Sequence, residues 1–567
     1  MATLFDSASL VMVPSGVKDD KLYSIKPTNG DGDFTFSRDG SGASVATRVN
    51  SAGLIEKGRT NLLLQSNSFN TTWTNSGTIT RTSGQSGYDG TNDAWLLTKG
   101  TAGAFIRQTI SQSGVRTFSV YAKADTADWM LLVIDGSPDD FQYFDLANGV
   151  LGASGTNLDA TITSVGNGWY RCSVTGTNNT YLQVRIYPAE GNNDVTGTTT
   201  QLYIQDSQLE KGLVATSVIE TTTAAASAGI LGDMPRLDYS GGASCPSLLL
   251  EPARTNLITN SEYIGATEWV NASATRDITI TQTSETNPEG SAICWKIQGT
   301  ATNNQLAYVG STTSGTTLTN SIYVKRVSGT GDVILRDVNN SSNTFSLSVS
   351  DGWKRIYATA TATSNTARFY LNLDDFSDEI LVWGAQQEAG SYPSSYVPTY
   401  GSSTARAKDV CDGAGDSSVF NDSEGVLFAE VSFARDKGKS SPFKVERISL
   451  SDGTSNNRVF ISNTTNLNAL QVFVRNASGI SFNRTITLTD ITANNKIALK
   501  YKANDFALWV NGTEESTDTS SSNVPSGLNE LMFDGPSGNY EFEGNVKQLL
   551  VFNTALTDAE LASLTSL

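Results

Sequence analysis

The chain runs to 567 residues, beyond the roughly 250–300 at which a single hydrophobic core stops growing, so about three to five domains are expected. Hydrophobic residues make up 38% and charged ones 17%, with Gly, Ser, Thr and Asn filling the difference; this excludes a membrane or disordered chain and favours strands over helices. A net charge of −18 opposes nucleic acid as a partner, and the absence of His removes Ser-His-Asp triads, Cys-His pairs and His-ligated zinc or iron.

In chain order, the opening MATLFDSASL lacks the basic region and apolar stretch of a signal peptide, and no run approaches the ~18 apolar residues of a membrane span. A soluble product without membrane insertion is expected. The segment up to about Val49 holds no long coiled-coil heptad, which leaves attachment to a short motif or a complete module. Strand periodicity then begins: Leu182, Val184 and Ile186 alternate with Tyr181, Gln183, Arg185 and Tyr187. A small-residue, Gly-rich stretch from Glu220 to Pro246 reads as a linker or packed connector, with a boundary near Thr223. Further on, Ile322 and Val324 alternate with Tyr323 and Lys325, and Phe369, Leu371 and Leu373 with Arg368, Tyr370 and Asn372. A second boundary falls near Cys411. Beyond it Ile497, Leu499 and Tyr501 precede a strand in which Phe506, Leu508 and Val510 alternate with Ala507, Trp509 and Asn511, closed by the hairpin signal Asn511-Gly512. Thr557 and Glu560 form a capping box that starts the one helix expected. Cys172, Cys245, Cys294 and Cys411 match neither a disulfide framework nor a zinc site and read as buried small hydrophobes.

Two of these stretches are copies of each other. The Arg-Thr-Asn-Leu core at Arg59–Leu62 returns at Arg254–Leu257, and Trp73 answers Trp269. Trp95 before Gly100-Thr101-Ala102 answers Trp295 before Gly299-Thr300-Ala301, and Tyr121 answers Tyr323. Trp169 answers Trp353, and LYIQDSQLEKG ending at Gly212 answers ILVWGAQQEAG ending at Gly390. Six anchors in one order mean one fold used twice. Short alternating strands between Gly, Asn and Asp turns make each copy a β-sandwich.

FTFSRDGSGASVATRVNSAGLIE, from Phe34 to Glu56, and the later PRLDYSGGASCPSLLLEPARTNL resemble the recurring pattern of phage head-fibre, head-spike and tail proteins. That family usually runs the first segment straight into the second, whereas here a sandwich copy lies between them, and Asp39 stands where a small residue is more common. The copies themselves are similar to carbohydrate-binding jelly-roll modules. ALKYKANDFALWVNGT, YEFEGNVKQLLVFN and the TDAEL helix resemble the laminin-G and concanavalin-like lectin sandwich. The resemblances imply an all-β protein of tandem jelly-roll β-sandwiches followed by a concanavalin/laminin-G-like β-sandwich. Its expected parts are an N-terminal virion-attachment segment (1–53), a first jelly-roll (54–223), a connector (224–247), a second jelly-roll (248–411) and the lectin sandwich (412–567). They imply a bacteriophage virion structural protein, a head fibre or decoration or a tail fibre, assembled in the host cytoplasm. Expected partners are capsid or tail proteins, further copies in a homotrimer or other symmetric homo-oligomer, and host-surface glycans.

Sugar binding needs an aromatic face for the apolar side of a pyranose and planar polar groups for its hydroxyls. Tyr121 with Lys123, and Tyr323 with Lys325, lie on outward faces of equivalent strands, and Arg185, Tyr187, Arg368 and Tyr370 line another. Exposed strand residues held by cross-strand pairing show the same pattern. Trp509, opposite the apolar set just before a turn, joins the candidates, whereas the repeated tryptophans belong to cores. Arg59 and Arg254 are expected to pair a carboxylate beneath the first strand of each copy. Asp374, Asp375, Asp378 and Glu379 offer hard oxygen ligands that suit a structural calcium of the kind jelly-roll modules carry, or form a solvated loop; no other cofactor is expected. Asp139-Asp140 and the same acidic loop would supply the two carboxylates of a glycosidase, but among 57 acidic residues such pairs arise by chance. No catalytic residue is assigned, and the chain is expected not to be an enzyme. The alternatives are a scaffold without ligand and a capsular polysaccharide depolymerase.

Overall fold

The computed structural model describes the chain except residues 1, 41, 43, 241–243, 270–277, 300–304, 376, 436–444 and 537; Thr300 and Ala301 of the repeat thus lie outside the described residues. The described chain is almost entirely β and forms three antiparallel sandwiches. No helix among the described residues is long and apolar enough to cross a membrane.

In the first sandwich one sheet runs in the order Asp159–Gly166, Trp169–Gly176, Arg116–Ala124, Gln201–Lys211, Ala94–Lys99 and Ile79–Gln85. The other runs Val150–Ser154, Asp140–Asp145, Trp129–Asp135, Tyr181–Ala189, Phe105–Gln112 and Thr74–Ser76. Val120, Ala122, Met130, Leu132, Val184 and Ile186 fill the space between them, fully buried. The expected inward Leu182 is instead 61% exposed, because it lies beside a register shift between Thr109 and Gln112 on the neighbouring strand, and Tyr181 turns inward in its place. The second sandwich repeats the plan with five and four strands, and Thr366–Leu373 shows the expected alternation throughout, with Phe369, Leu371 and Leu373 inside.

The paired sequence anchors are paired structural devices. Asn61 donates to the carbonyls of Ser207 and Ile219 at 3.1 and 2.9 Å; Asn256 donates to those of Ala385 and Val397 at 3.1 and 2.8 Å. Trp95 Nε1 donates to the carbonyl of Asn67 and Trp295 Nε1 to that of Glu262, at 2.9 and 2.8 Å. Asp206 and Gly384, at φ 48° and 62°, occupy the same bulge in the two copies.

Each copy leaves the body of the molecule and returns to it through one short ladder. Arg59–Asn61 pairs with Ala226–Ala228, and Arg254–Asn256 pairs with Thr404–Arg406. What remains when both are set aside is a single unit. Strand Gly544–Phe552 of the third sandwich is flanked on one side by Glu424–Phe433 and on the other, end to end, by Leu10–Met12 and Ser247–Leu250. Phe34–Ser37 pairs with Val410–Asp412. The expected attachment segment and the first residues of the expected second jelly-roll are therefore built into the third sandwich, because Leu10, Met12, Leu22, Phe34, Phe36, Leu248 and Leu250 supply part of its core, and the expected connector joins the same sheet through Arg236–Asp238. Beside the expected capped helix Asp558–Thr565, a short helix Ala2–Ser7 occurs. Cys172, Cys294 and Cys411 are buried, but Cys245 is exposed in the connector.

Candidate functional site

Arg38, Arg236 and Glu251, from the two segments that carry the phage-type resemblance, meet Arg406 and Asp409 in a buried ion network. Arg38 pairs with Asp409 at 3.0 Å, Arg236 with Asp409 and with Glu251 at 2.7 Å, and Arg406 with Glu251 at 2.8 Å. Burial alone pushes the Glu251 carboxyl up, but Arg406 and Arg236 hold it far below the carboxylate range. Every member is paired, so this network joins segments and offers nothing to a ligand.

The outward face of the first sandwich's second sheet is different. On Tyr181–Ala189 the phase that buries Val184 and Ile186 turns Gln183, Arg185 and Tyr187 outward. On Phe105–Gln112 it turns Phe105 and Arg107 out, and on Trp129–Asp135 it turns Trp129 and Asp135 out. Tyr187 packs on Phe105 with ring centroids 4.4 Å apart, beside Tyr143, Phe141 and Trp129. A polar chain crosses three strands along this aromatic floor. Arg107 donates to Gln183 Oε1 at 3.1 Å and Gln183 to Asp135 Oδ2 at 2.5 Å; Arg185 bridges Asp135 and Asp139 at 2.5 and 3.4 Å and lies over Phe105 at 5.5 Å. Desolvation, and the hydrogen bond that its protonated form donates to Asp135, raise the Asp139 pKa, while Gln183 and Arg185 overcome desolvation and hold Asp135 down. Phe105, Trp129, Phe141, Arg107 and Arg185 remain partly exposed.

The equivalent face of the second sandwich presents Arg368, Tyr370 and Asn372. Arg336 and Gln305 donate to Asn372 Oδ1 at 3.1 and 3.2 Å. Among the described residues it keeps the polar groups but has one ring where the first has five.

Of the expected candidates, Arg185, Tyr187, Arg368 and Tyr370 thus lie on equivalent outward faces, with Tyr187 itself 91% covered by its neighbours. Sequence reasoning misses Phe105, Trp129, Phe141 and Tyr143. Phe105 is legible from its phase against Ile106, but Trp129 is not, since Leu131 and Val133 make its strand apolar on both faces. Other candidates are corrected. Tyr121 is buried under Tyr88, stacked at 3.7 Å, because the loop after Ile79–Gln85 folds over it. Tyr323 packs against Trp383 and Arg355 in a cluster that also buries Ile55, so this face receives the incoming chain. Lys123 lies half-buried beside Trp169, and Lys325 pairs with Glu285 at 3.7 Å. Trp509 is 8% exposed under the helix Asp558–Thr565, whose Leu561 and Leu564 cover that side of the sheet.

The four carboxylates read as a calcium set diverge. Asp378 is fully buried against Arg326 at 3.1 Å, Glu379 pairs with Lys296 at 3.1 Å, and Asp374 and Asp375 point to solvent. Among the described residues no group of three or more acidic or Cys side chains is arranged to hold a metal ion. Asp139 and Asp140 also part company: Asp139 faces Arg185 outside, while Asp140 accepts from Tyr181 at 2.7 Å inside. Arg59 and Arg254 do meet carboxylates, Glu289 at 3.2 Å and Glu388 at 3.5 Å.

No protein-family model matches the chain, and no curated protein matches it. Solved structures that it resembles are carbohydrate-binding modules. One is the CBM40 of the Ruminococcus gnavus IT-sialidase, at 19% identity and a TM-score of 0.23 over 27% of this chain and 88% of that one. Another is the tandem CBM22 domain of Paenibacillus barcinonensis Xyn10C, at 12% identity and a TM-score of 0.20 over 62% of this chain and all of that one. The tandem CBM51 modules of Sp3GH98 from Streptococcus pneumoniae match at 11% identity and a TM-score of 0.17 over 66% and 97%. The all-β fold class rests on the sheets themselves.

Proposed function

We propose that this chain is a non-enzymatic glycan-binding protein that serves as a virion appendage of a bacterial virus. The observation that carries the binding half is the outward face of the first sandwich, where the partly exposed rings of Phe105, Trp129 and Phe141, backed by the buried Tyr143 and Tyr187, lie beside a charged polar chain. Rings of this kind stack on the apolar side of a pyranose, and Arg107, Gln183 and Arg185 meet its hydroxyls from fixed positions. The appendage half is supported by the Phe34–Glu56 and PRLDY motifs, and oligomeric display on a virion turns weak sites into firm adhesion.

Binding of the whole chain to a broad glycan array is the first test. Replacing Phe105 with Ala weakens the array signal by about ten-fold, the size of one lost stacking contact, while Trp509→Ala, on the far sandwich, leaves it unchanged. Release of reducing ends from a capsular polysaccharide would instead establish a depolymerase. Labelled-antibody electron microscopy of purified virions tests the appendage half, which falls if the particles carry no label.

A further inference from the structure

Two large cavities lie at the same place in the two copies, at the root where each sandwich meets the next unit. The first, about 430 Å³, is lined by Lys57, Arg59, Arg116, Lys211 and Tyr400 among others; the second, about 560 Å³, by Arg254, Ala389 and Gly390 with residues of the third sandwich. Both fall in the size range of small-molecule sites. The ladders fix the correspondence: Arg116 pairs with Lys211 in the first copy and Leu318 with Ala389 in the second, each one step from a Thr–Glu pair. The fold therefore tolerates an apolar pair where the first copy carries two cations.

Those two cations have no carboxylate partner among the described residues. Lys57 pairs with Glu262 at 2.6 Å and with Glu289, which also takes Arg59 at 3.2 Å. Among the described residues Arg116, 5% exposed, donates from Nε and Nη2 to Gln112 Oε1 at 3.3 and 3.2 Å and from Nη1 to the carbonyl of Val115 at 2.8 Å, all neutral acceptors, and Lys211 stands at the mouth. No Asp or Glu among the described residues lines the cavity. In the second cavity, by contrast, Lys408 pairs with Glu541 at 2.8 Å and Arg435 with Glu543 at 3.2 Å. A buried cation without a counter-charge is costly, and a chain with a net charge of −18 has carboxylates to spare for it. Burial pulls the Arg116 guanidinium down to about 10, the direction that a bound anion reverses. The wall is held by close contact: a Cβ on Gly114, at φ 73°, would lie 1.9 Å from the Tyr400 carbonyl oxygen.

We propose that the cavity between the first and second sandwiches binds the anionic group of an acidic sugar, with the Arg116 fork and Lys211 taking its oxygens. The inference rests on the glycan-binding reading and narrows it to sugars that bear a carboxylate or a sulfate, groups an Arg fork meets with two parallel hydrogen bonds.

An array carrying neutral, uronate-bearing and sulfated glycans is read with the intact chain and with Arg116→Leu/Lys211→Ala, which installs the residues of the second copy. Signals on acidic glycans fall about ten-fold or more in the variant, and neutral signals hold. Separate uronate and sulfate arms identify the anion. Lys211→Glu, at the exposed last residue of its strand, gives the same loss and guards against a misfolded double variant. Equal acidic signals in all three proteins overturn the inference and leave the glycan reading standing; neutral signals alone do the same. Silence of the intact chain on every glycan overturns both.

Discussion

At the residue scale, the motifs that stand out in the sequence prove to be brackets rather than ligand contacts. Asn61 donates twice and its Oδ1 accepts from Leu63 and Leu209 at 3.1 Å each; Asn256 does the same between Ile258 and Gln387. Gln208 and Glu210, like Gln386 and Glu388, then hold the returning chain, Glu210 accepting from Thr216 and Glu388 from Ser394. Replacing Asn61 with Ala strands two carbonyls and two N–H groups in a dry interior, at about 1–3 kcal/mol for each unsatisfied group. Asn61→Ala is expected to lower the unfolding free energy of the first sandwich by about 3 kcal/mol or more, read by urea denaturation followed through its tryptophans; a loss under about 0.5 kcal/mol would refute the bracket. The same brackets explain what is legible. Tetrapeptides such as Arg-Thr-Asn-Leu signal a backbone geometry that must be met, so they reveal the repeat and the all-β class. Tyr121 and Trp509 are placed outside by the same period-two rule that places Phe369 inside. The rule gives the face of a strand but says nothing of what a loop or helix later lays over that face.

At the element scale, both jelly-rolls hang from a body whose parts are distant in sequence. That arrangement is hidden in the sequence because Leu10–Met12 and Ser247–Leu250 are short strands whose partner lies hundreds of residues away, and neither carries a periodicity long enough to read. Only the Phe34–Glu56 and PRLDY motifs hint at it, and Arg38, Arg236 and Asp409 give the reason: the segments on either side of the first copy must meet to satisfy one another's charges. Leu10 and Met12 are fully buried in the third sandwich, each contributing about 1.5–3 kcal/mol of apolar burial, and their strand covers the edge of Gly544–Phe552. Deleting residues 1–13 therefore destabilises the third sandwich, at the far end of the chain, by several kcal/mol while leaving the first intact. Hydrogen exchange resolves the two: protection drops at Leu549–Val551 and holds at Val184 and Ile186. Unchanged protection of the third sandwich would return these residues to a free attachment arm.

For the whole molecule, the excess of acidic residues sets an unusual dependence on pH. Where the N-terminal strand Phe34–Ser37 meets Val410–Asp412, desolvation and then the neighbouring Asp412, Glu541 and Glu530 push Asp534 up to about 7, against the weak opposing pull of Lys408. Asp412 rises to about 6 for the same reasons, and so does Asp206 beneath Tyr88 in the first sandwich. The unfolded chain releases these protons near the ordinary Asp value of about 3.9, so between about pH 4 and 7 the folded state binds more protons than the unfolded one. Stability is thus full below that window and is lost as pH rises through it. Glu251 acts in the opposite sense, since its depressed carboxyl stabilises above about pH 4.5 and loses that contribution on further acidification. Together they make the fold more stable at pH 5 than at neutrality. Calorimetric melting of the intact chain is expected to show a midpoint that falls from pH 5 to pH 7, and Asp534→Asn, which cannot ionise, flattens that fall. A midpoint that rises from pH 5 to 7, or a variant whose curve runs parallel to the native one, would show that the carboxyls where the N-terminal strands meet the third sandwich do not carry the effect.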